Sequence, residues 1–170
     1  MTALLKTPGF LSFIAMIFLN AFVDLGHKII IQNTIFKVYD GSTQIILTAI
    51  VNGLILLPFI LLFTPSGFLA DRFRKPKIMR WAAIVAVGLT LLITLFYYLA
   101  WFEAAFAMTF MLAVQSAFYS PAKYGYIREI AGKDNLANAN GVVQSTTIIA
   151  ILLGMFVFSI LFEMTLAGHP

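Results

Sequence analysis

The chain has 170 residues, 61% of them hydrophobic and only 11% charged, with a mean hydropathy of +0.96. A soluble domain is about half apolar and about a quarter charged, so in water runs this apolar would leave large exposed patches, and the composition points to a bilayer as solvent. Cysteine is absent, which excludes disulfides, thiolate metal sites and cysteine nucleophiles, and His27 and His169 lie too far apart in sequence to form a metal-ligand pattern.

Lys6 followed by an apolar run has the look of a signal peptide, but Asn20, Asp24, His27 and Lys28 occupy the place of a small-residue cleavage site. The first span therefore reads as a retained helix. Five segments are apolar over the roughly 20 residues a spanning helix needs: 10–33, 44–69, 78–101, 104–121 and 141–163. The sequence thus predicts an all-α membrane protein. Between spans one and two, Asp40-Gly41 signals a turn. Asn52, Gly53, Pro58, Pro65 and Gly67 predict a bent second span, because backbone groups freed by proline must find other partners. A tight turn is expected at 101–104. Pro121 is expected to end a short fourth span, and the polar, basic stretch 122–140 is long enough for a short surface helix.

With five spans, Lys6, Arg72, Arg74, Lys75, Lys77, Arg80, Lys123, Arg128 and Lys133 gather on one membrane face. The other face receives Lys37, and Lys28 lies within span one. Basic loops stay on the cytoplasmic side, so the N-terminus is expected inside, with the basic residues beside anionic lipid.

Topology alone does not explain the string Gly67-Phe68-Leu69-Ala70-Asp71-Arg72-Phe73-Arg74-Lys75-Pro76-Lys77. Gly67 permits close helix approach or a bend. Asp71 stands at the membrane edge, where a carboxylate meets a helix N-terminus or an arginine. Pro76 suits the first turn of the next helix. The string resembles the signature Gly-x-Leu-Ala-Asp-Arg-x-Gly followed by basic residues, found between helices two and three of the major facilitator superfamily; Arg74 stands where that pattern has glycine. The resemblance implies a conformational latch of Gly67, Asp71, Arg72, Arg74 and Lys75 that engages the second half of a transporter. It also implies alternating access by rocking of two six-helix halves.

A narrower resemblance covers nearly the whole chain. Tyr119, Ser120, Pro121, Lys123, Tyr124, Gly125 and Glu129, followed by Ala139, Asn140 and Gly141, resemble a Lys-Tyr-Gly region of the lysophospholipid transporter subfamily. Asp24 and Lys28 fit that subfamily's first helix, whereas Gly26 and His27 stand where aromatics are usual. The resemblance implies inward movement or flipping of lysophospholipid across a bacterial inner membrane. Members also occur fused to an acyltransferase and an acyl-carrier-protein synthetase.

In span one, Asn20, Asp24, His27 and Lys28 fall within a sector of about 100° on a helix of 3.6 residues per turn. Asp24 and Lys28 are spaced as an i, i+4 acid-first pair. Ionised groups at membrane depth are costly and face cavities or partners, so this stripe is a candidate substrate or proton site, with a structural ion pair or a snorkelling Lys28 as the bland alternative. Asp24 suits an ethanolamine ammonium and Lys28 a phosphate. A proton-coupled exporter of small molecules uses the same groups differently, Asp24 carrying the proton beside His27, a residue type whose ordinary titration range is near neutral pH. A membrane anchor for lipid-remodelling enzymes is a third reading. Gln115 and Ser116, and beyond them Asn140 and Gln144, are candidates to line the same cavity. Lys123 and Arg128 are placed to gather anionic headgroups at the inner mouth.

No phosphate-cradling glycine loop, nucleophile elbow or metal motif is present, so neither an enzyme nor a cofactor is expected. The basic residues follow topology and not a nucleic-acid-binding face. The expected partners are membrane lipids, the transported molecule and a missing C-terminal transporter half. The whole of 1–170 reads as the truncated N-terminal half.

Overall fold

A computed structural model describes residue 4 and residues 6–167; His169 lies outside them. Among the described residues the regular structure is helical throughout: α1 (Phe10–Val38), α2 (Gly41–Leu61), α3 (Phe63–Arg72), α4 (Lys75–Tyr98), α5 (Phe102–Ala131) and α6 (Leu136–Ala167). All but α3 contain stretches long and apolar enough to cross a membrane, five in total, as the composition led us to expect. Ile45, Ile60, Phe63, Val87, Leu91 and Leu152 are exposed, an arrangement suited to hydrocarbon and not to water.

The second span is two helices. Leu62 interrupts it between Pro58 and Pro65, its N–H donating to the Pro58 carbonyl at 2.9 Å, and Ser66 N–H returns to the Leu62 carbonyl at 2.9 Å. Neither proline has an N–H to give, so the ladder is weakened on both sides of this junction. Gly41 opens α2 at φ +59, a left-handed conformation open to glycine without a Cβ penalty.

The fourth span departs from expectation. Pro121 lies inside α5, which continues to Ala131 with no separate surface helix in 122–140. An interior proline costs about 3 kcal/mol. Here the continuation buries Ala122, Ile127 and Ala131 with Phe10, Phe13, Ile17, Met79 and Val143 in the main core cluster. That burial offsets the cost, and residues 122–131, which read as a polar loop, become the amphipathic end of a helix, buried at Ala122, Lys123, Ile127 and Ala131 and exposed at Tyr124, Arg128 and Glu129.

Two tight pairings dominate the packing, α1 with α6 and α4 with α5. In the first, glycines admit the neighbour directly. A Cβ on Gly154 would run into the Phe22 carbonyl oxygen and lie 3.1 Å from its carbonyl carbon; one on Gly26 would lie 2.5 Å from the Phe158 ring. Small residues at helix contacts are how membrane helices gain van der Waals area. Polar contacts extend the pairing toward one end: Asn33 Nδ2 donates to Ser159 Oγ at 3.2 Å, and Lys37 meets Glu163 at 2.9 Å.

Candidate functional site

The polar stripe of α1 is divided among three neighbours. Toward α5, Ser116 Oγ donates to Asp24 Oδ2 at 2.9 Å and lies 3.3 Å from Gln115 Oε1, while Gln115 Nε2 reaches Asn20 Oδ1 at 3.5 Å. Asn20, Asp24, Gln115 and Ser116 thus form one hydrogen-bonded cluster between α1 and α5. Gln115 and Ser116 are buried. Toward α2, Asp24 and Lys28 line a cavity of about 370 Å³ together with Asn52, Phe59, Thr109 and Ala113. Toward α6, His27 is buried with its ring edge-on to Phe158 at 5.4 Å, and neither ring nitrogen has a hydrogen-bond partner among the described residues. His27 therefore stands apart from the cluster it was grouped with in the sequence.

Asp24 and Lys28 do not close an ion pair; among the described residues the pairs within 4 Å are Lys37–Glu163 and Lys75–Glu129. The Asp24 carboxylate instead accepts the Ser116 hydroxyl, with Lys28 and Lys123 as the cations in electrostatic reach. Lys123 is buried, its ammonium 4.5 Å from the Tyr124 ring centroid and 5.9 Å from that of Tyr119. Such cation–π contacts partly replace the water it gives up. Arg128 is exposed one turn beyond.

Asn52 and Thr109 were not among the expected site residues. Thr109 lies seven residues before Ser116, two turns along one face of α5, and that spacing was the available signal. Asn52 accepts from Gln32 Nε2 at 3.3 Å, joining α1 to α2 at the cavity wall, and donates to the Thr48 carbonyl at 2.9 Å. Asn140 and Gln144 are exposed on α6 and are not among the residues that line this cavity.

The basic hairpin between α3 and α4 is fastened by a residue other than Asp71. Lys75 Nζ bonds Glu129 Oε1 at 2.5 Å, tying the start of α4 to the end of α5. Gly125, one turn before Glu129, leaves room for this path of the lysine, since a Cβ there would lie 2.5 Å from Lys75 Cε. Asp71, Arg72 and Arg74 are exposed. Arg72 lies over the Phe68 ring at 5.9 Å, and Asp71 makes no hydrogen bond or ion pair with any described residue. A Cβ on Gly67 would meet nothing within 4 Å. The Asp71 and Gly67 surface is thus unoccupied by the described chain.

Comparison with known proteins finds similarity along nearly the full chain. It is 34% identical over 166 residues, 96% of its length, to the lysophospholipid transporter LplT of Photorhabdus laumondii, of which the match covers 39%. It is 35% identical over 153 residues to LplT of Salmonella heidelberg, covering 35% of that protein, and 41% identical over 96 residues to LplT of Cronobacter sakazakii, covering 23%. The chain therefore spans well under half the length of the curated relatives it matches. No protein-family model matches it, and no solved structure does. The resemblance to lysophospholipid transporters read from the Lys-Tyr-Gly region is a property of the chain as a whole, and these relatives are named as transporters, not enzymes.

Proposed function

We propose that this chain is the N-terminal part of a transporter that moves lysophospholipid across a bacterial inner membrane by alternating access. One observation carries the reading. Asp24 and Lys28 line the same cavity within an apolar bundle without pairing to each other. Each such charge costs a few kcal/mol at membrane depth, and a zwitterionic headgroup matches both. An ethanolamine ammonium pairs with Asp24, whose orientation Ser116 fixes, and the phosphate pairs with Lys28. The similarity to proteins named lysophospholipid transporters supports the same ligand class.

In this reading the basic face is cytoplasmic, and Lys123 and Arg128 draw anionic headgroups toward the inner mouth. Asp71 and Gly67 present the surface on which a second half of the transporter closes, with Arg72, Arg74 and Lys75 setting the charge around it. Lys75 is already committed to Glu129, so the latch proper is Asp71. A proton relay from Asp24 to His27 gains no support from the geometry, because His27 faces Phe158.

Equilibrium binding in lipid nanodiscs tests the site. Lysophosphatidylethanolamine is expected to bind the native chain and to lose about thirtyfold or more in Asp24→Asn and in Lys28→Met, since truncating one partner of a desolvated charge pair costs about 2–5 kcal/mol. Undiminished binding by both variants would overturn the assignment of the headgroup to this cavity.

A further inference from the structure

A second cavity, separate from the Asp24–Lys28 cavity, opens between α3, α4 and α5. Its volume is about 410 Å³, and apart from Lys77 and Gln115 its lining is hydrocarbon or aromatic: Leu69 and Phe73 from α3 and its cap, Trp81 and Val85 from α4, Val114 and Phe118 from α5. The size lies within the range of small-molecule sites, roughly 300–1,000 Å³. From Lys77 to Val85 the slot follows α4 for about 12 Å at 1.5 Å per residue. The hydrocarbon of one leaflet is about half of a 30 Å core, so the slot is close to one leaflet deep. Its mouth lies at the basic end of the bundle. There Lys77 is exposed and has no ion pair with a described residue, beside Phe73 and the exposed Arg74. An open apolar groove of leaflet depth, with Trp81 and Val85 exposed along it and a cation at the surface end that pairs with no described residue, has the polarity of one lipid chain and its anionic headgroup.

We propose that this slot binds an anionic diacyl phospholipid of the leaflet facing the basic loops, one acyl chain lying along Trp81 and Val85 and the phosphate at Lys77. The site is distinct from the Asp24–Lys28 cavity but adjoins its polar cluster. Gln115 forms its inner end and also bonds Asn20, so an occupied slot presses on the polar cluster from behind.

Trp81 reports occupancy directly. The chain has two tryptophans, and Trp101, stacked on Phe96 at the far end of α4, tolerates Trp101→Phe with its ring contact kept. The full chain with this change is placed in phosphatidylcholine vesicles containing a minor fraction of phosphatidylglycerol brominated on its acyl chains, and Trp81 quenching is measured. Brominated phosphatidylglycerol is expected to quench as if enriched about fivefold over brominated phosphatidylcholine at the same mole fraction, the worth of one basic side chain at an anionic surface. Lys77→Gln is expected to remove most of this preference. Val114→Phe, which fills the inner end, is expected to lower quenching by both lipids and keeps the test open if the lysine variant inserts poorly. Equal quenching by the two lipids, or an undiminished preference in Lys77→Gln, would overturn the proposal. So would displacement by monoacyl phosphatidylglycerol at lower mole fraction than by the diacyl form, which assigns the slot to a single-chain ligand. Since binding is read without translocation, failure here leaves the transport reading untouched, and the converse holds.

Discussion

Replacing Gly154 by alanine tests the α1–α6 pairing at its tightest point. The added methyl would meet the carbonyl oxygen, carbonyl carbon and Cα of Phe22, all backbone atoms of α1 and none able to rotate away. Relief requires the helices to separate. Inserting a methylene into such a contact costs about 1–3 kcal/mol, against a gain of about 1 kcal/mol from alanine's better helix propensity. Gly141, on the same helix, is the internal control: a Cβ there meets nothing within 4 Å, so Gly141→Ala collects the propensity gain alone. The two variants should therefore differ by about 1–3 kcal/mol, with Gly154→Ala the less stable. At about 2–4 °C per kcal/mol for a chain of this size, the separation is several degrees in a thermal unfolding measurement in mild detergent. Gly26→Ala should fall between them, because the atoms it meets belong to the Phe158 ring, which can turn. Equal midpoints for Gly154→Ala and Gly141→Ala would refute the close backbone contact.

Three further outcomes follow from the geometry. Gly125→Ala should displace Lys75 and break its contact with Glu129; the loss is expected near 1 kcal/mol, as for partly exposed ion pairs. A double-mutant cycle of Lys75→Met and Glu129→Gln should then show the coupling abolished in the Gly125→Ala background. Ser116→Ala should weaken lysophosphatidylethanolamine binding by several-fold while lowering the unfolding midpoint by about 2–12 °C, since one hydrogen bond of about 1–3 kcal/mol is removed from Asp24. Asp71→Asn should leave the stability of this chain within about 0.5 kcal/mol of native, measured by the same unfolding assay, because Asp71 is exposed and bonds no described residue.

The number of spans was legible in the sequence because long apolar runs have few other physical explanations. The end of α5 was not. Pro121 and the charges after it argued for a loop, and the packing of Ala122, Ile127 and Ala131 that carries the helix onward exists only in three dimensions. The stripe on α1 was visible as a sector but not in its division. A helix with neighbours on three sides gives adjacent residues different environments, so Asp24 meets Ser116, Lys28 faces the α2 side and His27 meets Phe158. The i, i+4 spacing of Asp24 and Lys28 suggested a pair, yet in the fold the carboxylate accepts the Ser116 hydroxyl and Lys28 stays beyond ion-pair distance. The basic hairpin was recognisable as a motif, but its fastening through Lys75, Glu129 and Gly125 joins residues about fifty positions apart.

The central claim is met most directly by measuring translocation of labelled lysophosphatidylethanolamine across vesicles containing the protein purified from its source membranes. Protein-dependent translocation that falls to background in Asp24→Asn, with the variant still folded, is the predicted result. Translocation no faster than in protein-free vesicles, or unchanged in Asp24→Asn, would contradict the account.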